Sequence, residues 1–181
     1  KVYKYRIKAD MGYGAAIIAV LISAVFVFIG IPTVSGYLNI KKGISSLEES
    51  KSSLLQMDSA SFEEKTLSAY NGFKNGRSSL RRLKWVFSLT GKEKNYYSYD
   101  KLLGGLALVS KAGNIGSGAI KPFENVMETI RPDSSSTLDS AVFEQAKLSV
   151  SGAKDYLSMA EADMSAVDTS MFLGKYISYI D

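Results

Sequence analysis

Residues 15–31 read AAIIAVLISAVFVFIGI, and the uncharged sequence around them extends from Met11 to Ile40. A helix rises about 1.5 Å per residue, so Gly14 to Val34 would cross roughly 30 Å, the thickness of a bilayer's hydrocarbon core. Buried helices of soluble proteins seldom go so long without a charge, and the run predicts a transmembrane helix. It is too long for the apolar part of a secretory signal, and no A-x-A site follows before Lys41, so the segment is expected to be retained. Lys1, Lys4, Arg6 and Lys8 precede the run against Asp10 alone, whereas Lys41 and Lys42 beyond it are soon joined by Glu48 and Glu49. That bias predicts a cytoplasmic N-terminus and an external C-terminal part. Tyr3, Tyr5, Tyr13 and Tyr37 fall where interfacial aromatics belong.

The organisation read from this stretch is a basic N-terminus over 1–12, a transmembrane helix over 13–40 and an extracytoplasmic helical bundle over 41–181. Pro32 would bend the exit of the membrane helix. Gly12, Ala16, Ala19 and Ser23 share one side of it at three- and four-residue spacings, a stripe that would admit another helix closely. The chain opens on Lys1 rather than Met, as expected of a processed chain or part of a longer one.

Beyond residue 40 apolar residues recur in threes and fours, and strand-like alternation is nearly absent. Ser61 and Glu64 form an S-x-x-E start signal. From there Phe62, Thr66, Ala69, Phe73, Gly76, Leu80, Leu83 and Phe87 outline one face of a long helix. Gly91 is suited to the left-handed conformation that ends helices. A second stripe follows through Tyr99, Leu102, Leu106, Val109, Gly113, Gly116, Ile120 and Phe123, and its glycines together with Pro122 predict a break between Gly113 and Pro122. Arg131–Ser136 reads as a linker. The last stripe alternates large residues, Phe143, Val150, Leu157, Met164 and Met171, with alanines, a seam suited to close antiparallel packing. A short terminal helix carrying Tyr176, Ile177, Tyr179 and Ile180 is expected after Asp168 or Thr169. The fold class is therefore all-α: one N-terminal transmembrane helix followed by an antiparallel up-and-down bundle of three to four helices.

The 181 residues contain neither cysteine nor histidine. Disulfides, thiolate sites and every Ser-His or Cys-His arrangement are thereby excluded, and with them the commonest zinc ligands. Remaining carboxylates do not gather into a recognisable acid-base site, so the chain reads as non-enzymatic, with no cofactor and no metal. A net charge of +4 lacks the dense basic stripe of a nucleic-acid binder. G-N-I-G-S-G at 113–118 lacks the Lys-Ser/Thr and the preceding strand of a P-loop. Arg77, Arg81, Arg82 and Lys84, with Trp85 beside them and Lys92 and Lys94 further on, form a candidate patch for anionic lipid or an acidic envelope polymer. Tyr96, Tyr97 and Tyr99 make an aromatic knot from which at least one ring is expected to enter the core. Glu124 and Glu128 are read as surface charges.

The order of parts, with AYNGFKNGRSSLRRLKWV at 69–86, LLGGLALV at 102–109 and AEADMSAVD at 160–168, resembles the membrane-proximal half of the bacterial envelope family called "domain of unknown function 4012". The resemblance implies an anchored, envelope-facing protein and carries over no catalytic residues. Two roles follow. One is a cell-envelope protein whose bundle is a stalk or assembly surface, with lipid and protein partners or copies of itself along the apolar helix. The other is a pilin-like subunit whose apolar helix forms the core of a surface filament. An accessory role toward an envelope polymer is a third expectation.

Overall fold

The computed structural model describes residues 18–129 and 140–171. Within them the first helix, α1, runs from Ile18 to Leu55, 38 residues without interruption. At a rise of about 1.5 Å per residue this rod is roughly 57 Å long. Residue 40, the expected boundary between membrane segment and bundle, lies inside it and is no helix end. Only 6% of its apolar window is buried in the protein. A core helix of a soluble domain would be covered, so this exposure favours lipid as the solvent of the N-terminal part.

Phe26–Gly30 winds as a π turn, in which the Ile31 N–H reaches the Phe26 carbonyl. Pro32 follows at once. Proline has no N–H to donate, and its ring crowds the carbonyl four residues earlier. A widened turn ahead of it lets the helix proceed. Thr33 Oγ1 donates to the Ile29 carbonyl at 2.6 Å, satisfying an acceptor in the disturbed turn. The exit expected at Pro32 is thus a local change of winding, and the helix runs on to Leu55.

Helices Ser59–Arg82 (α2), Lys84–Leu89 (α3), Glu93–Gly116 (α4), Lys121–Thr129 (α5) and Ser140–Ser165 (α6) follow, with 3-10 turns at Ser117–Ala119 and Thr169–Met171. Among the described residues there is no strand. The expected linker over 131–136 and the short terminal helix lie outside the described residues. The predicted break between Gly113 and Pro122 is the 3-10 turn, and Gly91 takes the left-handed conformation at φ +68°.

One start signal differs. Helix α2 begins two residues before the expected S-x-x-E box, because Asp58 is its N-cap and its carboxylate accepts from the Ser61 N–H at 2.8 Å. The Ser61 hydroxyl is instead 2.8 Å from that of Ser53 on α1.

Each long helix packs on its neighbour in the chain: α1 on α2, α2 on α4, and α4 on α6. Residue numbers fall on one helix as they rise on its partner, as antiparallel hairpins require. Ser53, Ser46, Gly43 and Gly36 of α1 meet Ser61, Ser68, Gly72 and Ser79 of α2 in that order. Ala69, Phe73, Leu103 and Ala107 form the buried centre between α2 and α4, with Ile40 and Leu47 of α1 packed against it.

The α1–α2 seam is made of small residues. A Cβ on Gly72 would lie 2.7 Å from the Gly43 backbone, and one on Gly76 would lie 2.6 Å from Ile40 Cγ1. Backbone therefore approaches backbone, the geometry that small residues allow between helices. The α4–α6 contact is built similarly, with Gly105 under Met164 and Gly116 beside Ala153.

That closeness selects which row of α6 turns inward. Ala160 is buried and Met164 partly so, whereas Phe143, Val150 and Leu157 are 46%, 57% and 49% exposed. A helix pair held together over glycines has room for the alanine row but none for the large one. Of the expected large-residue seam Met164 is seated on Gly105 of α4, Phe143, Val150 and Leu157 are exposed, and the Met171 side chain lies outside the described residues.

Gly72→Ala is expected to destabilise the chain by about 1–3 kcal/mol, because its methyl meets fixed backbone. Gly116→Ala, whose Cβ would make an ordinary 3.6 Å contact with Ala153, should be close to neutral. Thermal unfolding of both variants followed by circular dichroism in detergent checks the contrast.

Candidate functional site

Charged side chains converge where α2, α4 and α6 pass one another. Arg77 of α2 lies within a helical turn of Arg81, and both face Asp100, which is one residue before Lys101 on α4. Arg77 Nε donates to Asp100 Oδ1 at 2.8 Å and Nη2 to Oδ2 at 2.6 Å, a two-pronged pair. Arg81 Nε reaches the same Oδ1 at 3.3 Å. Across the next interface Lys101 Nζ donates to Asp163 Oδ1 of α6 at 2.7 Å.

Gly104 makes the convergence possible. A Cβ there would stand 2.7 Å from Asp163 Oδ2 and 3.0 Å from Arg77 Nη1, so both groups occupy the space above a missing side chain. Three helices are thereby tied through one small area.

The Asp100 side chain is 15% exposed and that of Arg77 is 27% exposed. Hydrogen bonding from Arg77 holds the Asp100 carboxyl below its usual range, outweighing the burial that would raise it. The same hydrogen bond raises Arg77, with desolvation acting against it. Both groups therefore keep their charge near neutral pH. A pair in this state is a clamp and not a proton shuttle, because an acid-base catalyst needs a pKa near the working pH.

Of the sequence-derived basic patch, Arg77 is consumed by this clamp and Arg81 shares in it. Arg82 and Lys84 are exposed. Lys84 Nζ lies 5.8 Å and 5.7 Å from the ring centroids of Tyr96 and Tyr97, within cation-π range. Tyr96 is the ring of the knot that enters the core, stacking obliquely on Phe87 at 5.9 Å and edgewise with Tyr97 at 5.4 Å. Trp85 stays at the surface.

Glu124 corrects a sequence expectation. It is half-buried and caps the start of α2, accepting from the Ser59 hydroxyl at 2.6 Å and from the Ser59 N–H. A carboxylate is favoured there by the free backbone donors and positive dipole end of a helix N-terminus. The pairing with Glu128 has no described side chain on its second member. Of the small-residue stripe, Gly12 and Ala16 lie outside the described residues, while Ala19 and Ser23 are exposed on α1.

A groove of about 590 Å³ between α1, α2 and α4 is lined by Ile44, Leu47, Leu54, Phe62, Phe73 and Leu106, with Glu48, Ser50 and Lys51. It is an apolar trough and brings no acid-base pair together. Among the described residues no three carboxylates converge as metal ligands.

Asp100, Lys101, Asp163 and Gly104 are the residues that sequence reading missed. The available signal was a charge on each of three predicted helices beside a glycine pair, Gly104-Gly105, which marks close packing. No protein-family model, curated protein or solved structure matches the chain. The molecule is an all-helical, membrane-associated protein with one described helix able to span a bilayer.

Asp100→Asn should cost about 1–3 kcal/mol, since it leaves the Arg77 guanidinium desolvated without its counter-charge. The acid dependence has a definite sign. A carboxyl whose folded pKa is lowered stabilises the fold above its unfolded value of about 3.9 and stops doing so as the pH falls toward the folded value. Thermal midpoints should hold steady from neutrality to about pH 5 and decline below about pH 4. The variant should show a shallower decline in the same titration.

Proposed function

We propose that this chain is a non-enzymatic, membrane-anchored protein of the cell envelope, whose bundle serves as a stalk or assembly surface in a larger complex. The observation that carries this reading is the continuity of α1. One 38-residue helix is both the apolar span and the first wall of the bundle. A flexible linker would let a domain wander, whereas a helix that is packed on α2 through Gly36, Gly43 and Ser46 transmits position rigidly. The excess of basic residues before the span supports a cytoplasmic N-terminus and an external bundle. The resemblance to the envelope family quoted above points the same way.

An assembly surface is offered along one flank of α6. Phe143, Val150 and Leu157, seven residues apart, form a single exposed apolar row there. Contiguous apolar surface of this kind on a soluble face marks an interaction site.

The pilin-like reading is favoured by the same rod, because a long N-terminal helix with an exposed apolar half is the shape that packs into a filament core. Electron microscopy separates the two. Dispersed particles after detergent extraction support the anchored stalk, and ordered fibres shed without detergent support the filament.

Replacing Gly12, Ala16, Ala19 and Ser23 together by Leu should leave membrane association resistant to alkaline carbonate but abolish cross-linked species between neighbouring chains. Unchanged cross-linking would remove the stripe as an interface.

A further inference from the structure

We propose that the elbow joining α2 to α4, residues 81–94, rests in the headgroup layer of an anionic bilayer beside the point where α1 emerges. The proposal takes α1 as inserted in that bilayer.

Height comes from the α1–α2 register. A Cβ on Gly36 would lie 3.2 Å from Ser79 Cβ, so these two residues are level. Helix α2 runs toward the apolar end of α1 as its numbers rise. Arg82 is three residues beyond Ser79, or about 4.5 Å further down, and Lys84 follows. The elbow therefore begins level with Ile31–Gly36, where α1 presents Ile31 and Val34 as exposed apolar side chains. The uncharged sequence ahead of Ile31 begins at Met11 and by itself supplies the ~20 residues of a span. The hydrocarbon boundary then falls near Ile31, and the elbow meets lipid at the headgroups.

Its chemistry suits that layer. Trp85, Leu89 and Tyr97 are 46%, 78% and 55% exposed, although polar alternatives would cost nothing on a water-facing turn. Tryptophan and tyrosine are the side chains enriched at membrane interfaces. Around them stand Arg81, Arg82, Lys84, Lys92 and Lys94, against Glu93 alone within the segment. The acids that face it are already engaged: Asp100 by Arg77, Asp168 by Ser170 with Lys94 nearby, and Glu93 by the Ser88 hydroxyl. Fixed cations with exposed aromatics beside a membrane helix recognise anionic headgroups.

Trp85 is the only tryptophan of the chain, so its fluorescence reports on the elbow alone. The full chain is reconstituted in vesicles of phosphatidylcholine with and without phosphatidylglycerol, and flotation with the vesicles verifies insertion of α1 separately. With the anionic lipid, Trp85 emission should shift to the blue, be quenched by lipids brominated near the headgroup, and lose at least half its quenching by aqueous iodide. Lys84→Glu with Lys92→Glu, checked for unchanged helicity, should restore iodide access while the chain still floats. Equal iodide access in both vesicle types, in a chain that floats, overturns the proposal. So does protection of Trp85 by a soluble acidic polymer in neutral vesicles without protection by the anionic lipid. A chain that fails to float refutes the inserted anchor itself, and the proposal with it.

Discussion

Where Gly72 crosses Gly43, two helix backbones approach with no side chain between them. Every other placement in the molecule depends on that contact. It holds α2 against the long N-terminal rod and sets which residues of α2 stand at which height along it. It also seats the Phe73 ring over Gly43 of α1, within the small apolar centre shared with α4. Burial in that centre is modest, because its members are two alanines, one leucine and one phenylalanine. Close backbone packing and hydroxyl pairs such as Ser46–Ser68 stand in for the large apolar area of an ordinary bundle.

Helical class, the apolar span, the glycine at the α3–α4 turn and the break before Pro122 were legible because each rests on a local property: periodicity, length, or backbone conformation. Pairings were not legible. The stripe rule assigned the large row of α6 to the interior, yet the interior is defined by its partner, and α4 presents glycines there. The same rule sought small-residue contact in the membrane half of α1, around Ala19 and Ser23, and passed over Gly36 and Gly43 in the half that packs on α2. A glycine seven residues from another reads locally as a weak helix former. Only a facing helix gives it a purpose.

Charge was misread for a related reason. A cluster of Arg and Lys on a helix looks like a single patch in sequence, but helical geometry divides it. Arg77 points across the bundle to Asp100, whereas Arg82 and Lys84 point outward. The inward member contributes to holding three helices together and the outward members remain available to a partner. A carboxylate such as Glu124 is ambiguous in the same way, since its role as a cap arises only when the start of another helix is brought to it.

The mechanical consequence follows from the rod and the register together. A helix that leaves a bilayer alone can tilt about the point of emergence, because lipid resists its rotation only weakly. A bundle packed against it from Gly36 upward adds mass on one side, and that side ends in a turn of aromatics and cations at the same level. With the elbow seated among headgroups, the bundle stands on two feet, and tilt toward α2 would have to drive Arg82 and Lys84 into hydrocarbon. Charge at that depth is strongly disfavoured. The angle at which α6 presents its exposed apolar row would then be set by the membrane plane and not by the partner that covers it.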